Sequence, residues 1–170
     1  MNYIKISKCD IANGLGFRVV LWVSGCNHNC KGCHNPQTHD YSAGKVFDNE
    51  ALDYLIKCLS KPYIRGLTIS GGDPMSPRNR SKVIDICRAV KHEFGSKKDI
   101  WIYTGNEFDL REYFFPVDVV VDGQYLESLR DISLPFRGSS NQRIIDVKKT
   151  HEETNTLLDQ KIVIYNVDNN

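Results

Sequence analysis

Residues 17–23, Phe-Arg-Val-Val-Leu-Trp-Val, form an almost unbroken run of β-branched and aromatic side chains that stops at Ser24-Gly25. A run of this kind reads as a strand covered on both faces, the state of a strand inside a parallel sheet. The chain must therefore supply parallel partners and the crossovers that join them. Residues 66–70, 100–104, 117–121 and 161–165 carry the same β-rich composition and are the expected partners. Between them, Leu52, Leu55, Ile56 and Leu59 recur at helical spacing from Asn49, with Asp48 placed to cap the helix. Val83, Ile86, Cys87, Val90 and Phe94 repeat the stripe and end at Gly95, a C-cap residue. Strands alternating with helices at this spacing predict right-handed βαβ units and a mainly parallel sheet. In such a sheet, binding groups gather at the carboxyl ends of the strands.

With 170 residues, 41% hydrophobic and 25% charged, the chain has the balance of one globular domain, and we expect that domain to run over 1–170. The 22 basic residues against 21 acidic ones leave a net charge of +1, which gives no global attraction to nucleic acid or to an anionic membrane. No apolar run approaches the roughly 20 residues of a membrane span, and Met1-Asn2-Tyr3-Ile4-Lys5 lacks a signal-peptide core, so a cytoplasmic address is expected. His151 to Asn155 and Asp168-Asn169-Asn170 read as a loop and a frayed end.

The loops that follow the strands hold the chemistry. After the first strand, Cys26, Cys30 and Cys33 stand at C-x3-C-x2-C spacing among glycine and asparagine residues, which supply the positive-φ conformations a wrapped loop needs. Three clustered thiols in a reducing compartment are a metal-binding set. An odd number argues against a disulfide framework. A structural zinc site is an alternative with His28 or His34 as fourth ligand. An iron-sulfur cubane held by three cysteines would keep one iron open to a ligand, whereas an electron carrier would use four. Cys9, Cys58 and Cys87 lie apart and are expected to be buried structural thiols. Gly71-Gly72-Asp73-Pro74 ends the second strand, Thr104-Gly105 the third and Asp122-Gly123 the fourth, while Arg137 and Arg143 flank the polar stretch Gly138-Ser139-Ser140-Asn141. Those two cations either hold a carboxylate, dock a partner or face solvent. Asn13-Gly14-Leu15-Gly16 lacks the helix N-terminus of a phosphate cradle and reads as a turn near the mouth of the site.

The cysteine loop after a strand resembles that of the radical S-adenosylmethionine enzymes. Four further stretches, residues 10–18, 70–74, 119–123 and 136–143, narrow the resemblance to the glycyl-radical activases of anaerobic ribonucleoside-triphosphate reductase, in order from about Ile4 to Ile145. Many members of the wider superfamily carry an aromatic residue before the third cysteine, where this chain has Gly32 followed by His34, and their Gly-Gly-Glu appears here as Gly71-Gly72-Asp73. The resemblance implies a reduced, open βα partial barrel of the radical S-adenosylmethionine type. A full barrel takes about 250 residues, so a large protein substrate would cover the open side. It implies that Cys26, Cys30 and Cys33 ligate a [4Fe-4S] cluster, and that the Gly32, Cys33 and His34 backbone touches the adenine of S-adenosylmethionine. Gly71 and Gly72 would approach its methionine moiety, with the ammonium met by backbone carbonyls there or by Asp73, and Thr104 would line the ribose. It further implies the large subunit of the reductase as protein substrate, with an electron donor such as reduced flavodoxin. A radical enzyme acting on a small molecule is the alternative within the superfamily, and a zinc-binding interaction module the alternative outside it.

Overall fold

A computed structural model describes residues 1–107, 116–153 and 163–167. Seven strands form one sheet: β1 (Asn2–Asp10), β2 (Arg18–Val23), β3 (Lys45–Val46), β4 (Gly66–Gly71), β5 (Asp99–Tyr103), β6 (Val119–Asp122) and β7 (Arg143–Asp146), with helices α1 (Asn49–Leu59), α2 (Arg80–Phe94) and α3 (Val147–Glu153). The strand order is β3-β1-β2-β4-β5-β6-β7. The four central strands, β2, β4, β5 and β6, run parallel. They are the four expected strands within two residues at each end, because each is buried on both faces and so carries an undiluted apolar signal.

The edges differ from the expectation. β1 and β3 on one side and β7 on the other are antiparallel to their neighbours, so parallel pairing is confined to the centre and the sheet is open. β1 carries no clear strand signal because it is nowhere fully buried and its register with β2 shifts twice, breaking a period-2 pattern. β7 has only four residues, of which Ile144 and Ile145 are buried. Of the expected strand at 161–165, residues 161 and 162 lie outside the described residues, and Ile164 makes only an isolated bridge to Ile145. The loop expected from His151 is also corrected. α3 continues through Glu153, started by Asp146, whose carboxylate accepts from the Lys149 N–H at 2.9 Å and whose carbonyl accepts from Thr150 Oγ1. Residues 154–155 and 168–170 lie outside the described residues.

α1 forms where the apolar stripe places it, with Asp48 accepting from the Ala51 N–H at 2.9 Å. α1 and α2 cover one face of the sheet. Their Leu55, Leu59, Val83, Ile86 and Val90 pack with Val19, Leu21, Leu67, Ile69, Ile100 and Ile102. The alternate residues of the last strands, Trp101, Val119 and Val121, face the other way and meet Leu15, Phe136 and Tyr165. That second face is closed by loops, which leaves its carboxyl end free for a cavity.

Arg18, fully buried at the start of β2, ties the amino ends of three parallel strands together. Its Nε donates to Thr68 Oγ1 at 2.7 Å, Nη2 to the Leu67 carbonyl at 2.7 Å, and Nη1 pairs with Asp99 Oδ1 at 2.6 Å. The guanidinium lies 5.3 Å from the Trp101 ring. Burial pulls its pKa down and the Asp99 carboxylate opposes that pull. Arg18→Ala should cost about 3–5 kcal/mol, the cost of breaking a buried pair, read as a lower urea midpoint. Arg18→Met should cost less, because it removes the charge while retaining most of the volume.

Candidate functional site

The carboxyl ends of β2, β4, β5 and β6 open into a cavity of about 400 Å³. Cys26, Cys30, Cys33 and His34 line it from the cysteine loop, Gly71, Gly72 and Asp73 from the end of β4, Thr104 and Gly105 from the end of β5, and Gly123, Tyr125 and Arg137 from the excursion between β6 and β7. Ala12 and Asn13 reach the same space, so the glycine-rich turn does lie at its mouth.

The cysteine loop is held at both ends. Gly25 N–H donates to the Thr38 carbonyl at 2.7 Å and Cys26 N–H to the His39 carbonyl at 3.0 Å, so the returning chain pairs with the outgoing one. Between them the backbone takes positive φ at Asn29 (48°) and Gly32 (73°). A β-carbon on Gly32 would fall 2.0 Å from a carboxylate oxygen of Glu127, a flexible side-chain end that can move aside, so it is the positive φ that favours glycine there. The three thiols are free and half-buried. Burial raises the Cys26 pKa most, a backbone N–H from His28 lowers it, and the Asp73 carboxylate followed by the Cys30 and Cys33 thiols adds a smaller upward push. The Asn35 N–H points at Cys33 Sγ at 3.4 Å. Among the described residues, no three His, Cys, Asp or Glu side chains stand at the spacing of a single bound ion. The donor set, three thiols with backbone N–H groups directed at the sulfurs, fits a polynuclear iron-sulfur group.

Asp73 is the centre of the polar network. It is buried, and its carboxylate accepts four bonds: from the Met75 N–H at 2.9 Å and Thr104 Oγ1 at 2.8 Å on Oδ1, and from Asn106 Nδ2 at 2.7 Å and His28 Nε2 at 2.8 Å on Oδ2. Four is about the full capacity of a carboxylate. The Asp73 N–H donates to the Gly25 carbonyl at 2.8 Å, so strand end and cysteine loop are bonded in both directions. At Gly72 a β-carbon would stand 2.5 Å from the Gly25 carbonyl oxygen, and Gly71 has φ 103°. The two glycines therefore serve first to bring β4 against the loop.

Sequence reasoning missed several of these residues. His28 lies between the first two cysteines and was weighed only as a zinc ligand, yet its ring pairs with Asp73 and packs on Gly105. Asn79, buried at the start of α2, donates to the Ser24 and Asp73 carbonyls at 2.9 and 3.0 Å. Its position before a helix signals a cap, but its side chain makes no cap bond. Tyr125 sets its ring 5.1 Å from that of His34. Asp122 and Arg143 are paired across β6 and β7 through Arg143 Nε and Nη2, which removes Arg143 from the ligand candidates. Cys58 and Cys87 are buried as expected, whereas Cys9 is exposed on the outer side of β1, where the register shifts.

A family model described as a 4Fe-4S single cluster domain matches residues 12–145. The chain is 45% identical to the anaerobic ribonucleoside-triphosphate reductase-activating protein of Enterobacteria phage T4, over 85% of this chain and 93% of that one. It is 42% identical to the protein of that name from Vibrio cholerae, over 85% and 97% of the two chains, and 38% identical to that from Escherichia coli K12, over 84% and 96%.

Two outcomes follow from this geometry. Asp73→Ala should lower stability by about 2–4 kcal/mol, since it leaves buried donors unsatisfied, and Asp73→Asn by less, with thermal unfolding as the readout. Burial pushes the Cys87 thiol up to about 12, so native alkylation followed by mass spectrometry should label Cys9 and spare Cys87.

Proposed function

The chain belongs to the anaerobic ribonucleoside-triphosphate reductase-activating proteins, and on that premise we propose that it activates such a reductase by forming a glycyl radical on its large subunit at the expense of S-adenosylmethionine. The observation that carries this reading is the meeting of three free thiols with the Gly71-Gly72-Asp73 strand end in one cavity. In this reading, Cys26, Cys30 and Cys33 hold a [4Fe-4S] cluster with one iron left open. When bound, the cluster supplies the single electron that splits the sulfonium carbon-sulfur bond, giving methionine and a 5′-deoxyadenosyl radical. That chemistry would serve to remove one Cα hydrogen from a glycine of the reductase, with 5′-deoxyadenosine as the by-product. The electron comes from a donor such as reduced flavodoxin.

The chain's own residues bind and orient. The backbone from Gly32 to His34 offers its edge to the adenine. Thr104 lines the cavity and would face the ribose, although its hydroxyl is already donated to Asp73. Because the Asp73 carboxylate is filled by four donors, the ammonium of the methionine moiety falls to backbone carbonyls beside Gly71 and Gly72, and Asp73 acts as a positioning residue. The open sheet then works as a reduced partial barrel, one domain over 1–170, whose uncovered side is closed by the protein substrate. Water and oxygen are excluded only once that partner is seated. Among the described residues no helix is long and apolar enough to cross a membrane; the reaction is proposed to run in the cytoplasm.

The test is anaerobic. After reconstitution with iron and sulfide and reduction, the protein should form 5′-deoxyadenosine from S-adenosylmethionine, and electron paramagnetic resonance should show a glycyl-radical doublet on added reductase. Cys26→Ala, Cys30→Ala and Cys33→Ala should each abolish both signals, while Cys58→Ala and Cys87→Ala should cost only stability. Deoxyadenosine without the doublet would move the reading to a small-molecule substrate. Neither product nor cluster would return it to zinc.

A further inference from the structure

Exposed apolar surface gathers beside the cavity. Ile132 is 88% exposed, Leu129 41% and Leu126 40%, and all three stand within one short stretch of the β6–β7 excursion. Tyr125 and Leu134, which flank that stretch, line the cavity, so the three aliphatic side chains continue its wall outward. A fourth, Ile11, is also exposed and adjoins Ala12, which lines the cavity from the glycine-rich turn. A single exposed aliphatic side chain is ordinary, whereas a cluster continuous with a site marks a surface that a partner covers.

The stretch is braced. A single 3₁₀ turn over Glu127–Leu129, closed by the Leu129 N–H on the Leu126 carbonyl at 3.0 Å, keeps Leu126 and Leu129 together. The chain then pairs with its own return: the Asp131 N–H donates to the Gly138 carbonyl at 3.2 Å and the Ser140 N–H to the Leu129 carbonyl at 2.9 Å, with Arg130 bridged to Ser139. At the tip, Asp131 Oδ1 accepts from the Ser133 N–H at 2.9 Å and from Ser133 Oγ at 2.6 Å, a turn that leaves Ile132 projecting. On the return, Phe136 takes φ 55°, a conformation that persists in a residue bearing a β-carbon only when its surroundings impose it. Here they do: its ring packs edge-on against Trp101 at 5.6 Å, and its carbonyl accepts from the Tyr103 hydroxyl at 2.8 Å. The Gly138 and Ser139 N–H groups both donate to Gln142 Oε1, which closes the base of the loop. The two acids of the stretch are engaged locally, Glu127 by the Tyr125 hydroxyl and Asp131 by Ser133. What the loop offers outward is a fixed aliphatic ridge, and a surface already fixed loses little entropy when it is covered.

The proposed reaction selects the occupant. It removes a hydrogen from a backbone Cα, so the partner must lay a stretch of main chain over the mouth of the cavity, against the residues that continue its wall. The target glycine has no side chain, which leaves the lateral contacts to the residues beside it. We propose that Leu126, Leu129 and Ile132 form the ridge on which the reductase segment carrying that glycine docks, and that this segment meets the ridge with apolar side chains. This rests on the function proposed above and assigns recognition of the protein substrate to the β6–β7 excursion.

The experiment separates docking from chemistry. Cluster-loaded wild-type protein, Leu129→Ser, Ile132→Ser and the control Tyr63→Ser, whose ring is exposed before the amino end of β4, are compared anaerobically in three measurements: calorimetric titration with purified reductase, the glycyl-radical doublet as a function of reductase concentration, and 5′-deoxyadenosine formed with a chemical reductant and no reductase. The expected result is that Leu129→Ser and Ile132→Ser each weaken reductase binding by about 10- to 100-fold, the range for an aliphatic side chain withdrawn from water. The reductase concentration at half-maximal doublet rises by the same factor, the doublet at saturation is retained, and reductase-free deoxyadenosine changes by no more than about twofold. Ile132→Met restores most of the affinity, and Tyr63→Ser behaves as wild type. Unchanged reductase binding in both serine variants would overturn the assignment, and would do so in favour of a contact between two copies of this chain if sedimentation showed a smaller assembly in the variants. Equal loss of the saturated doublet and of reductase-free deoxyadenosine would overturn it in favour of a structural role in the cavity wall. A wild-type protein that forms neither deoxyadenosine nor the doublet would overturn the proposed function and the assignment with it, so the two failures are distinguishable.

Discussion

The carboxylate of Asp73 is the constraint on which the site depends. A buried carboxylate is tolerated only when its acceptor sites are filled, and the groups that fill this one come from three separate parts of the chain. His28 belongs to the cysteine loop, Met75 to the turn after β4, and Thr104 and Asn106 to the end of β5. Satisfying the charge therefore fixes the relative positions of those loops without any bound group. At the opposite end of the same parallel strands, Arg18 does the corresponding work, holding Thr68, the Leu67 carbonyl and Asp99 together. The central sheet is pinned by a buried anion at its carboxyl end and a buried cation at its amino end, with an apolar core between them. Such polar networks are costly when incomplete, and this cost makes them specify one arrangement over near alternatives.

What the sequence disclosed follows from how far each signal reaches along the chain. α1 was legible in full because an amphipathic stripe and its cap are local, and the central strands because burial on both faces leaves an unbroken apolar run. β1 was not legible, since a half-exposed strand with two register shifts mixes its two faces. α3 was missed because its start depends on a single aspartate directly after a very short strand. The cysteine loop and the strand-end glycines were found by their spacing and position. The role of Asp73 was not, because its partners His28, Thr104 and Asn106 lie 45, 31 and 33 residues away. The two arginines of the polar stretch illustrate the same limit. Composition treats Arg137 and Arg143 alike, and only the β6–β7 register, which sets Asp122 opposite Arg143, separates the one held by a carboxylate from the one that lines the cavity.

The antiparallel course of β7 decides where the remaining cavity wall comes from. A parallel strand following β6 would have to start at the amino end of the sheet, and its crossover would carry the chain away from the cysteine loop. Because β7 runs back along β6, the connection between them begins and ends at the carboxyl end, and residues of that connection, among them Gly123, Tyr125 and Gly138, line the site. That excursion supplies Glu127 over Gly32, Tyr125 beside His34, and Arg137 at the cavity wall. Its bracing comes from the sheet face opposite α1 and α2, through Trp101 and Tyr103 on β5. The departure from a mainly parallel sheet is thus what allows a chain of this length to wall its site on a second side. A barrel would reach the same end with further strand-helix units, whereas here one reversed strand and a loop strained at Phe136 suffice.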